Sequence, residues 1–290
     1  MKISNKTRSL IRESLFEDIG RQDITTHLLI PKNLKGKAFI SAQADGVLCG
    51  GSVIKEVFRL VDPELKVQQT ISEGSYLSKG KRAFRISGKA ASVLKGERVA
   101  LNFLARLSGI ATLTNRYVKK IKGTCAQIYD TRKTTPLWRE LEKYAVVTGG
   151  GENHRFGLWD EVLVKDNHWV AIRKLLKHSP SYLKEKLTDK KRTPVEIEVA
   201  SLKELMDLLN GSFIPGRILL DNFSVSDLKK AVRIIRKQKR RVLLEASGGI
   251  TLNNVRQVAK TGVNRISIGA LTHSAPALNF SLTVSGIVTK

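Results

Sequence analysis

A repeated strand-then-helix pattern fills the second half of the chain. Strands that alternate with helical stretches indicate a parallel sheet. All six apolar segments carry polar residues at their carboxyl ends, which favours a ring of strands over an open sheet with one binding crevice. We therefore predict an α/β fold whose main domain is an incomplete, six-stranded, parallel, TIM-like barrel. The segments cover 127–130, 162–165, 195–199, 218–221, 242–245 and 266–269.

The first half of the chain shows shorter segments punctuated by glycines. Long helical stretches follow at 90–107 and 111–121, and we predict a break between them at Ser108–Gly109. These features predict an N-terminal α+β sandwich domain over residues 1–109 and a barrel domain over 110–274. The sandwich is predicted to contain strands over 36–44, 46–51, 66–71 and 82–88 and a helix over 53–60.

Two local signals in the second half are also informative. Ser201, with Glu204 three residues later, is typical of the first turn of a helix, because each side chain can accept a hydrogen bond from a backbone amide there. The charged segment 184–193 is predicted to be an exposed connection.

The composition is that of a folded protein with one large or two ordinary domains. Of the 290 residues, 41% are hydrophobic, which is enough for a core. No apolar run approaches the roughly 20 residues that span a bilayer, and the polar first residues lack an apolar signal segment. Cys49 and Cys125 stand too far apart in sequence for a metal motif or a disulfide framework. We expect a cytoplasmic protein with no membrane partner.

The positive charge of the chain is unusual. Its 51 Lys and Arg residues exceed its 26 Asp and Glu residues, for a formal charge of +25. Such an excess attracts anions, either nucleic acid or small acidic substrates. The densest basic segment, 229–241, is typical of a solvated helix face, and it lacks the aromatic residues on which single strands stack. We therefore disfavour nucleic acid as a partner.

Two loops that follow predicted strands gather cations. The segment 130–136 carries Thr131, Arg132 and Lys133, a pattern that suits carboxylate or phosphate recognition, although a polar turn is the plain alternative. After the glycines 149–151 come His154 and Arg155, and Lys165 ends the next strand. Like charges repel unless an anion lies among them. A zinc site built from histidines is disfavoured by their spacing.

Acidic and small residues end the remaining strands. Glu198 and Asp221 could hold Mg²⁺ with a polyphosphate, accept bonds from sugar hydroxyls, or simply pair with nearby cations. Glu196 shares a strand face with Glu198, and we favour Glu198 because it lies nearer the strand end. Small residues after the last two strands leave backbone amides free to bind a phosphate; these residues are Ser247, Gly248, Gly249 and Gly269.

At these positions the sequence resembles the quinolinate phosphoribosyltransferase family, also named carboxylating nicotinate-nucleotide pyrophosphorylases, of the type II phosphoribosyltransferases. The resemblance extends over nearly the whole chain. It departs at Leu137 and Trp138, where the family often has glycine, and at Ala246, where the family often has serine. The similar stretches are 17–20, 23–26, 97–104, 107–112, 130–136, 141–146, 149–155, 164–168, 220–223 and 269–274.

The resemblance implies a fold, an assembly and a reaction. The fold is an N-terminal sandwich, rejoined by residues 275–290, with an incomplete barrel. The assembly is a homodimer, and a hexamer is the alternative. The reaction transfers a phosphoribosyl group from phosphoribosyl pyrophosphate to quinolinate with loss of CO₂, in the biosynthesis of NAD.

The resemblance also implies roles for individual residues. Lys133, Lys165, Glu198 and Asp221 are the expected catalytic residues, and Glu198 and Asp221 the expected Mg²⁺ ligands. Arg98 is expected to come from the partner subunit. Lys165 is also expected to bind substrate, and the remaining substrate-binding residues implied are Thr131, Arg132, His154, Arg155, Ser247, Gly248, Gly249, Gly269 and His273.

Two rival hypotheses remain at this point. One is a related enzyme on the same scaffold that takes another acceptor, such as nicotinate, or a homologue linked to molybdenum transport. The other is a nucleic-acid-binding protein that reuses the fold, which would show a steep loss of affinity with rising salt.

Overall fold

The computed structural model describes residues 1–178, 181–188, 194–238 and 241–288. Packing divides the chain into two compact units. Unit 1 comprises Met1–Asn115, Thr134–Gly150 and Ala270–Lys290, and unit 2 comprises Arg116–Lys133 and Gly151–Gly269. The sequence-based limits at residues 109 and 274 remain a prediction.

Unit 1 is built on an antiparallel sheet with the strand order β12-β1-β5-β3 and a two-stranded sheet of β2 and β4. The last strand, β12, pairs with β1 along its whole length. The elements of unit 1 are α1 (Asn5–Ile19), α2 (Ile24–Leu29), β1 (Lys35–Ala42), β2 (Gly46–Val47), α3 (Gly51–Val61), β3 (Lys66–Gln69), β4 (Tyr76–Leu77), β5 (Arg82–Lys89), α4 (Ala90–Lys120, which continues into unit 2), α5 (Arg139–Thr148), α11 (Ala270–His273) and β12 (Phe280–Val288).

The core of unit 1 follows from the alternation of its strands. In β1, every second residue from Gly36 to Ala42 is buried, and its neighbour β5 contributes Phe84 and Ile86 to the core. Helix α3 contributes Phe58, which is also fully buried. Such alternation places one face of a sheet against the core.

Helix α4 corrects one sequence prediction. The predicted break at Ser108–Gly109 is wrong, because a single helix runs from Ala90 to Lys120. The glycine serves close packing: a Cβ at Gly109 would lie 2.2 Å from the carbonyl oxygen of Pro276. Ser108 is buried, and its hydroxyl accepts from the Cys49 amide at 3.0 Å. A glycine that permits close backbone approach carries the same sequence signal as a glycine that ends a helix.

Two further predictions for the first half need correction. The strand predicted over 46–51 is only Gly46–Val47. The helix predicted over 53–60 is α3, which begins two residues earlier, at Gly51. Its preceding residue, Gly50, has φ +115°, a left-handed conformation that turns the chain from strand into helix.

The loop before α5 keeps an unusual backbone. Leu137 has φ +66°, a region that favours glycine, at a position where the resembling family often has glycine. The neighbouring Trp138 stacks on Phe103, with ring centroids 4.6 Å apart. The stacking of Trp138 fixes this loop, so the departure from the family pattern at Leu137 is accommodated as local backbone strain.

Unit 2 contains the predicted six-stranded parallel sheet. Its strand order is β6-β11-β10-β9-β8-β7, which is the order of a ring that stays open between its first and second strands. The incomplete barrel is thus confirmed. The elements that lie wholly in unit 2 are β6 (Gln127–Tyr129), β7 (Val162–Val164), α6 (Asp166–His178), α7 (Tyr182–Thr188), β8 (Val195–Val199), α8 (Leu202–Leu209), β9 (Arg217–Asp221), α9 (Val225–Lys237), β10 (Leu243–Ser247), α10 (Val255–Ala259) and β11 (Arg265–Ser267).

The helices of unit 2 follow their sequence signals closely. The Ser201 hydroxyl accepts from the Glu204 amide at 3.2 Å, and the Glu204 carboxylate accepts from the Ala200 amide at 2.8 Å, so α8 is capped as expected. The segment 184–193 was expected to be a connection, but α7 covers it as far as Thr188, and residues 189–193 lie outside the described residues.

The basic segment 229–241 lies mainly on α9, which buries one side. Leu228, Ala231, Val232 and Ile235 are buried, whereas the lysines and arginines of the helix are exposed. This is the arrangement of a solvated helix face, as predicted for the described part of the segment; residues 239 and 240 lie outside it. No helix in the described ranges has both the length and the hydropathy required to cross a membrane.

Candidate active site

The carboxyl ends of the parallel strands gather the predicted residues of unit 2 along one edge of the sheet. Glu152 forms an isolated parallel β-bridge with Tyr129 of β6. Residues 153–155 therefore follow at the same edge of the sheet. The other predicted residues at or just after strand ends are Thr131, Arg132 and Lys133 at β6, Lys165 at β7, Glu198 at β8, Asp221 at β9, Ser247, Gly248 and Gly249 at β10, and Gly269 at β11.

A lysine and three carboxylates meet at the ends of β7, β8 and β9. The Lys165 ammonium lies 3.7 Å from a carboxylate oxygen of Glu198. Burial raises the pKa of Glu198; the charge of Lys165 lowers it, and the charges of Asp221 and Asp166 raise it. Carboxylates are ligands of the type that Mg²⁺ takes in proteins, and a Mg²⁺ site at Glu198 and Asp221 remains a prediction.

A backbone hydrogen bond links the residue that follows β9 to the end of β10. The Asn222 amide donates to the Ser247 carbonyl at 2.9 Å, and its side chain donates to Asp221 at 2.8 Å. A Cβ at Gly248 would lie 2.1 Å from the Asn222 side-chain oxygen, so this position excludes other residues. Gly248 and Gly249 both have positive φ, at +86° and +60°. Consecutive left-handed glycines suit a backbone turn that binds an anion.

Two arginines lie near one another at the β6 side of the edge. The pKa of Arg155 is lowered by burial and by the positive charge of Arg132, with partial compensation from acidic neighbours. The guanidinium of Arg155 donates to the Glu161 carbonyl at 3.1 Å, which orients it. Lys133 is exposed on the same loop, whose turn is fixed by the Thr131 hydroxyl accepting from the Lys133 amide at 3.1 Å. The two guanidinium groups are thus close enough to interact electrostatically, and an anion site formed by them remains a prediction.

Asp130 fixes the loop that carries His154 and Arg155. Its side chain is fully buried and accepts from the His154 amide at 2.9 Å. The Asp130 amide itself donates to the Glu152 carbonyl at 3.1 Å. Asp130 thus acts on the site by holding backbone rather than by facing a ligand.

The His154 ring points into the sheet toward two fully buried carboxylates. Its Nε2 lies 3.0 Å from Glu196 and 3.3 Å from Glu245, and its Nδ1 accepts from the Arg155 amide at 2.8 Å. Burial lowers the pKa of His154, but the two carboxylates outweigh this effect and raise the pKa to about 9. The hydrogen bond from the Arg155 amide favours the neutral ring instead, because a proton on Nδ1 would remove the acceptor of that bond. The direct substrate contact implied for His154 remains a prediction.

Sequence reasoning missed the buried charges around His154. Arg217 pairs with Glu161 and approaches Glu196 at 3.8 Å, while Arg265 lies 3.1 Å from Glu245 and stacks on Tyr129 at 3.7 Å from the ring centre. A signal was present in the sequence, since these charged residues interrupt otherwise apolar strands of a sheet covered on both faces.

The three ligand-type groups of His154, Glu196 and Glu245 lie within 4.8 Å of one another and could in principle hold a metal ion. The neighbouring guanidinium groups of Arg217 and Arg265 already supply positive charge there. A divalent cation would be repelled by them. This cluster is therefore an ion-pair network rather than a metal site.

The remaining predicted residues lie in unit 1. Arg98 lies on α4 and His273 ends α11, where its Nδ1 lies 2.6 Å from the Ser274 hydroxyl. Within unit 2, a cavity of about 780 Å³ borders Glu198 and Asp166 and is otherwise lined largely by apolar residues such as Trp169 and Phe213. Its volume is in the range of small-molecule sites.

Comparison with known families decides the assignment. The family model described as the N-terminal domain of quinolinate phosphoribosyl transferase matches residues 23–108, and the model of the C-terminal domain matches residues 110–283. The chain belongs to the quinolinate phosphoribosyltransferase family. Both domains of the family are therefore present in this chain, the N-terminal one first.

Individual relatives of this family align with nearly the whole of this chain. A chloroplastic carboxylating nicotinate-nucleotide pyrophosphorylase of Oryza sativa subsp. japonica is 41% identical over 96% of this chain and 77% of its own. A probable carboxylating nicotinate-nucleotide pyrophosphorylase of Methanocaldococcus jannaschii is 39% identical over 95% of this chain and 96% of its own. The solved nicotinate-nucleotide pyrophosphorylase of Francisella tularensis has a TM-score of 0.88 and 37% identity, with 98% of each chain covered.

Proposed function

We propose that the protein transfers the phosphoribosyl group of phosphoribosyl pyrophosphate to quinolinate with decarboxylation. The products are nicotinate mononucleotide, pyrophosphate and CO₂, a step of NAD biosynthesis. The match of both family domains carries this proposal. The site supports it, since Arg132, Arg155 and Lys165 offer cations for a dicarboxylate at the same edge as Glu198 and Asp221.

Each part of the substrate pair has a matching group of residues. Arginine forks bind carboxylates with two parallel bonds, so Arg132 and Arg155 are the proposed partners of the quinolinate carboxylates, with Lys165 and His154 in the same unit. A role of His273 in substrate binding is likewise a proposal. Lys133 and Thr131 are proposed to bind phosphoribosyl pyrophosphate. Ser247, Gly248, Gly249 and Gly269 are the proposed binding residues for its 5-phosphate, through backbone amides.

The reaction proceeds in two steps. The pyridine nitrogen of quinolinate forms a bond to C1 of the ribose while the bond from C1 to the pyrophosphate oxygen breaks, and Lys133 stabilises the charge on the leaving pyrophosphate. Glu198 and Asp221 would hold Mg²⁺, which would neutralise part of that charge. The carboxylate adjacent to the now cationic nitrogen then leaves as CO₂, and the electron pair left on the ring carbon takes up a proton. The residues of the site orient the substrates and exclude water.

The proposed assembly is a homodimer in which Arg98 serves the site of the partner subunit; a hexamer remains open. Unit 1 exposes several large apolar side chains on α1 and α2, namely Phe16, Ile24, Leu28 and Leu29. Exposed apolar patches of this kind mark protein interfaces. A cytoplasmic location is likewise a proposal, and the rice relative is chloroplastic.

One assay tests the reaction directly. Purified protein is given phosphoribosyl pyrophosphate and Mg²⁺ with either quinolinate or nicotinate, and nicotinate mononucleotide, pyrophosphate and CO₂ are measured. We expect all three products from quinolinate and little turnover of nicotinate, because a monocarboxylate leaves part of the cationic site unpaired. Turnover of nicotinate but not of quinolinate would instead support the rival hypothesis of a related enzyme with another acceptor. Omission of Mg²⁺ with a chelator is expected to abolish turnover.

A further inference from the structure

The proposed reaction makes no direct use of Glu196 or Glu245, although both are fully buried in unit 2. They lie on strands β8 and β10, and both reach the Nε2 atom of His154, at 3.0 Å and 3.3 Å. One imidazole nitrogen therefore lies between two carboxylates supplied by two different strands.

Each carboxylate also has an arginine on a neighbouring strand. Register pairing sets Glu196 opposite Arg217 and Glu245 opposite Arg265. The Nε atoms of these arginines lie 3.8 Å from Glu196 and 3.1 Å from Glu245. The network thus balances positive and negative charges within the sheet, and it holds both carboxylates in place below the loop of His154.

The other side of the imidazole holds the backbone of the site. Nδ1 accepts from the Arg155 amide at 2.8 Å, so the ring links the buried carboxylates to the residue that the proposed function assigns to a quinolinate carboxylate. A shift of the ring would therefore move Arg155. Buried ion networks are costly and often replaceable by apolar residues, which argues for a role beyond stability.

We propose that Glu196 and Glu245 are positioning residues for acceptor binding: they fix the His154 ring, and through it the backbone of Arg155, against a carboxylate of the substrate. This inference rests on the proposed function. Neither glutamate touches the substrate in this role. The effect that passes through His154 falls on the acceptor, because the proposed partners of phosphoribosyl pyrophosphate lie outside the loop of His154 and Arg155, although β8 and β10 also carry Glu198 and Ser247.

The test compares Glu196→Gln and Glu245→Gln with the wild-type protein. Glutamine keeps the shape and removes the charge. We expect KM for quinolinate to rise about tenfold or more, while KM for phosphoribosyl pyrophosphate stays within about twofold. Glu64→Gln is the matched control, since it removes the acid of an exposed ion pair with Lys89 in unit 1. Thermal unfolding and circular dichroism establish that each variant is folded.

A double-mutant cycle separates positioning from general stability. In a His154→Gln background, Glu245→Gln is expected to add little to KM for quinolinate, because the ring that it positions is gone. Additive effects would overturn the proposal. If a single glutamine variant fails to fold, Glu245→Gln combined with Arg265→Gln removes both charges of one pair, and the same rise in KM is expected from it.

The outcomes also distinguish this inference from the proposed function. A wild-type protein that does not convert quinolinate refutes the proposed function. A wild-type protein that converts quinolinate, with folded variants that keep its KM for quinolinate, refutes the positioning role and leaves the proposed function standing.

Discussion

Arg132 and Arg155 hold two positive charges close together in unit 2, at a cost in free energy. Burial and, after it, the charge of Arg132 lower the pKa of Arg155, so the two guanidinium groups repel each other in the protein without ligand. A dianion between them would relieve that repulsion. This repulsion supports the proposal that the pair binds a dicarboxylate.

This reasoning predicts the effect of removing either arginine. Arg132→Ala and Arg155→Ala are each expected to lower kcat/KM for quinolinate by more than about tenfold, because a charged contact of this kind contributes about 2–5 kcal/mol. Steady-state kinetics measure the loss, and thermal unfolding checks that the fold survives. Arg12→Ala, at an exposed arginine of α1, is the matched control. Unchanged kinetics in both site variants would remove the assignment of quinolinate to these residues.

The two glycines after β10 offer a second comparison at the scale of single residues. Both have positive φ, but a Cβ at Gly248 would collide with Asn222, whereas nothing lies within 4 Å of a Cβ at Gly249. Gly248→Ala is expected to raise KM for phosphoribosyl pyrophosphate by about tenfold. Gly249→Ala carries only the backbone cost of about 1 kcal/mol, and we expect a much smaller rise. Equal KM values in the two variants would contradict the proposed phosphate site.

At the scale of elements, Glu56 ties α3 to α1. Its carboxylate receives bonds from Arg59 on its own helix and from Arg8 on α1, each at 2.7 Å. The bond from Arg59, opposed by burial and reinforced by Arg8, lowers the pKa of Glu56 to about 2. A depressed pKa means that the ionised form stabilises the folded state at pH values above the ordinary value of 4.5.

Glu56→Gln should therefore destabilise unit 1 in a pH-dependent way. We expect the free energy of unfolding to fall by about 1–2 kcal/mol at pH 7, a figure reduced because the two arginines are partly exposed. The difference from wild type should shrink as the pH falls from about 4.5 toward about 2, where the native carboxylate takes up its proton. Urea denaturation at several pH values measures this. The exposed pair of Glu64 and Lys89 is the control, and Glu64→Gln should change little. A difference that persists at pH 2 would argue against this ion pair.

The elements that the sequence predicts well are those whose pattern has one physical cause. The six barrel strands are apolar runs that end in polar residues, and each lies within two residues of its predicted start. Gly109 was misinterpreted because a glycine required by Pro276 looks the same as one that breaks a helix. The network of Glu196, Glu245 and Arg217 was missed because charged residues in strands were taken to mark strand ends, whereas these charges compensate one another inside the sheet.

At the scale of the whole molecule, the excess positive charge has a partial structural account. On α9 the cations project from an exposed side while the opposite side packs inward, so their number is unrelated to the packing of the core. Exposed lysines and arginines of this kind create a field that attracts anions without selecting among them. In the proposed function, selection among anions depends on the loops at the strand ends, where Arg132, Arg155, Glu198 and Asp221 combine cations with acids; a polyanion such as nucleic acid calls for cations alone.

The proposed dimer predicts that two inactive variants can restore activity to each other. If Arg98 serves the partner's site while Lys165 serves the site of its own subunit, Arg98→Ala and Lys165→Ala are each expected to be inactive alone. A mixed dimer then has one site with both lesions and one with neither. Random mixing of equal amounts makes about half of the dimers mixed, so about a quarter of wild-type activity should return.

A second mixture controls for this recovery. Lys165→Ala mixed with Arg132→Ala places both lesions in residues that act within their own subunit, so every site in a mixed dimer keeps one lesion and no activity should return. Tagged subunits that copurify establish that exchange has taken place. Absence of recovery in the mixture of Arg98→Ala with Lys165→Ala, despite such exchange, would mean that Arg98 acts within its own chain. The proposal of a site shared between subunits would then be wrong, whereas the assignment of Arg132, Arg155 and Lys165 to the acceptor would be unaffected.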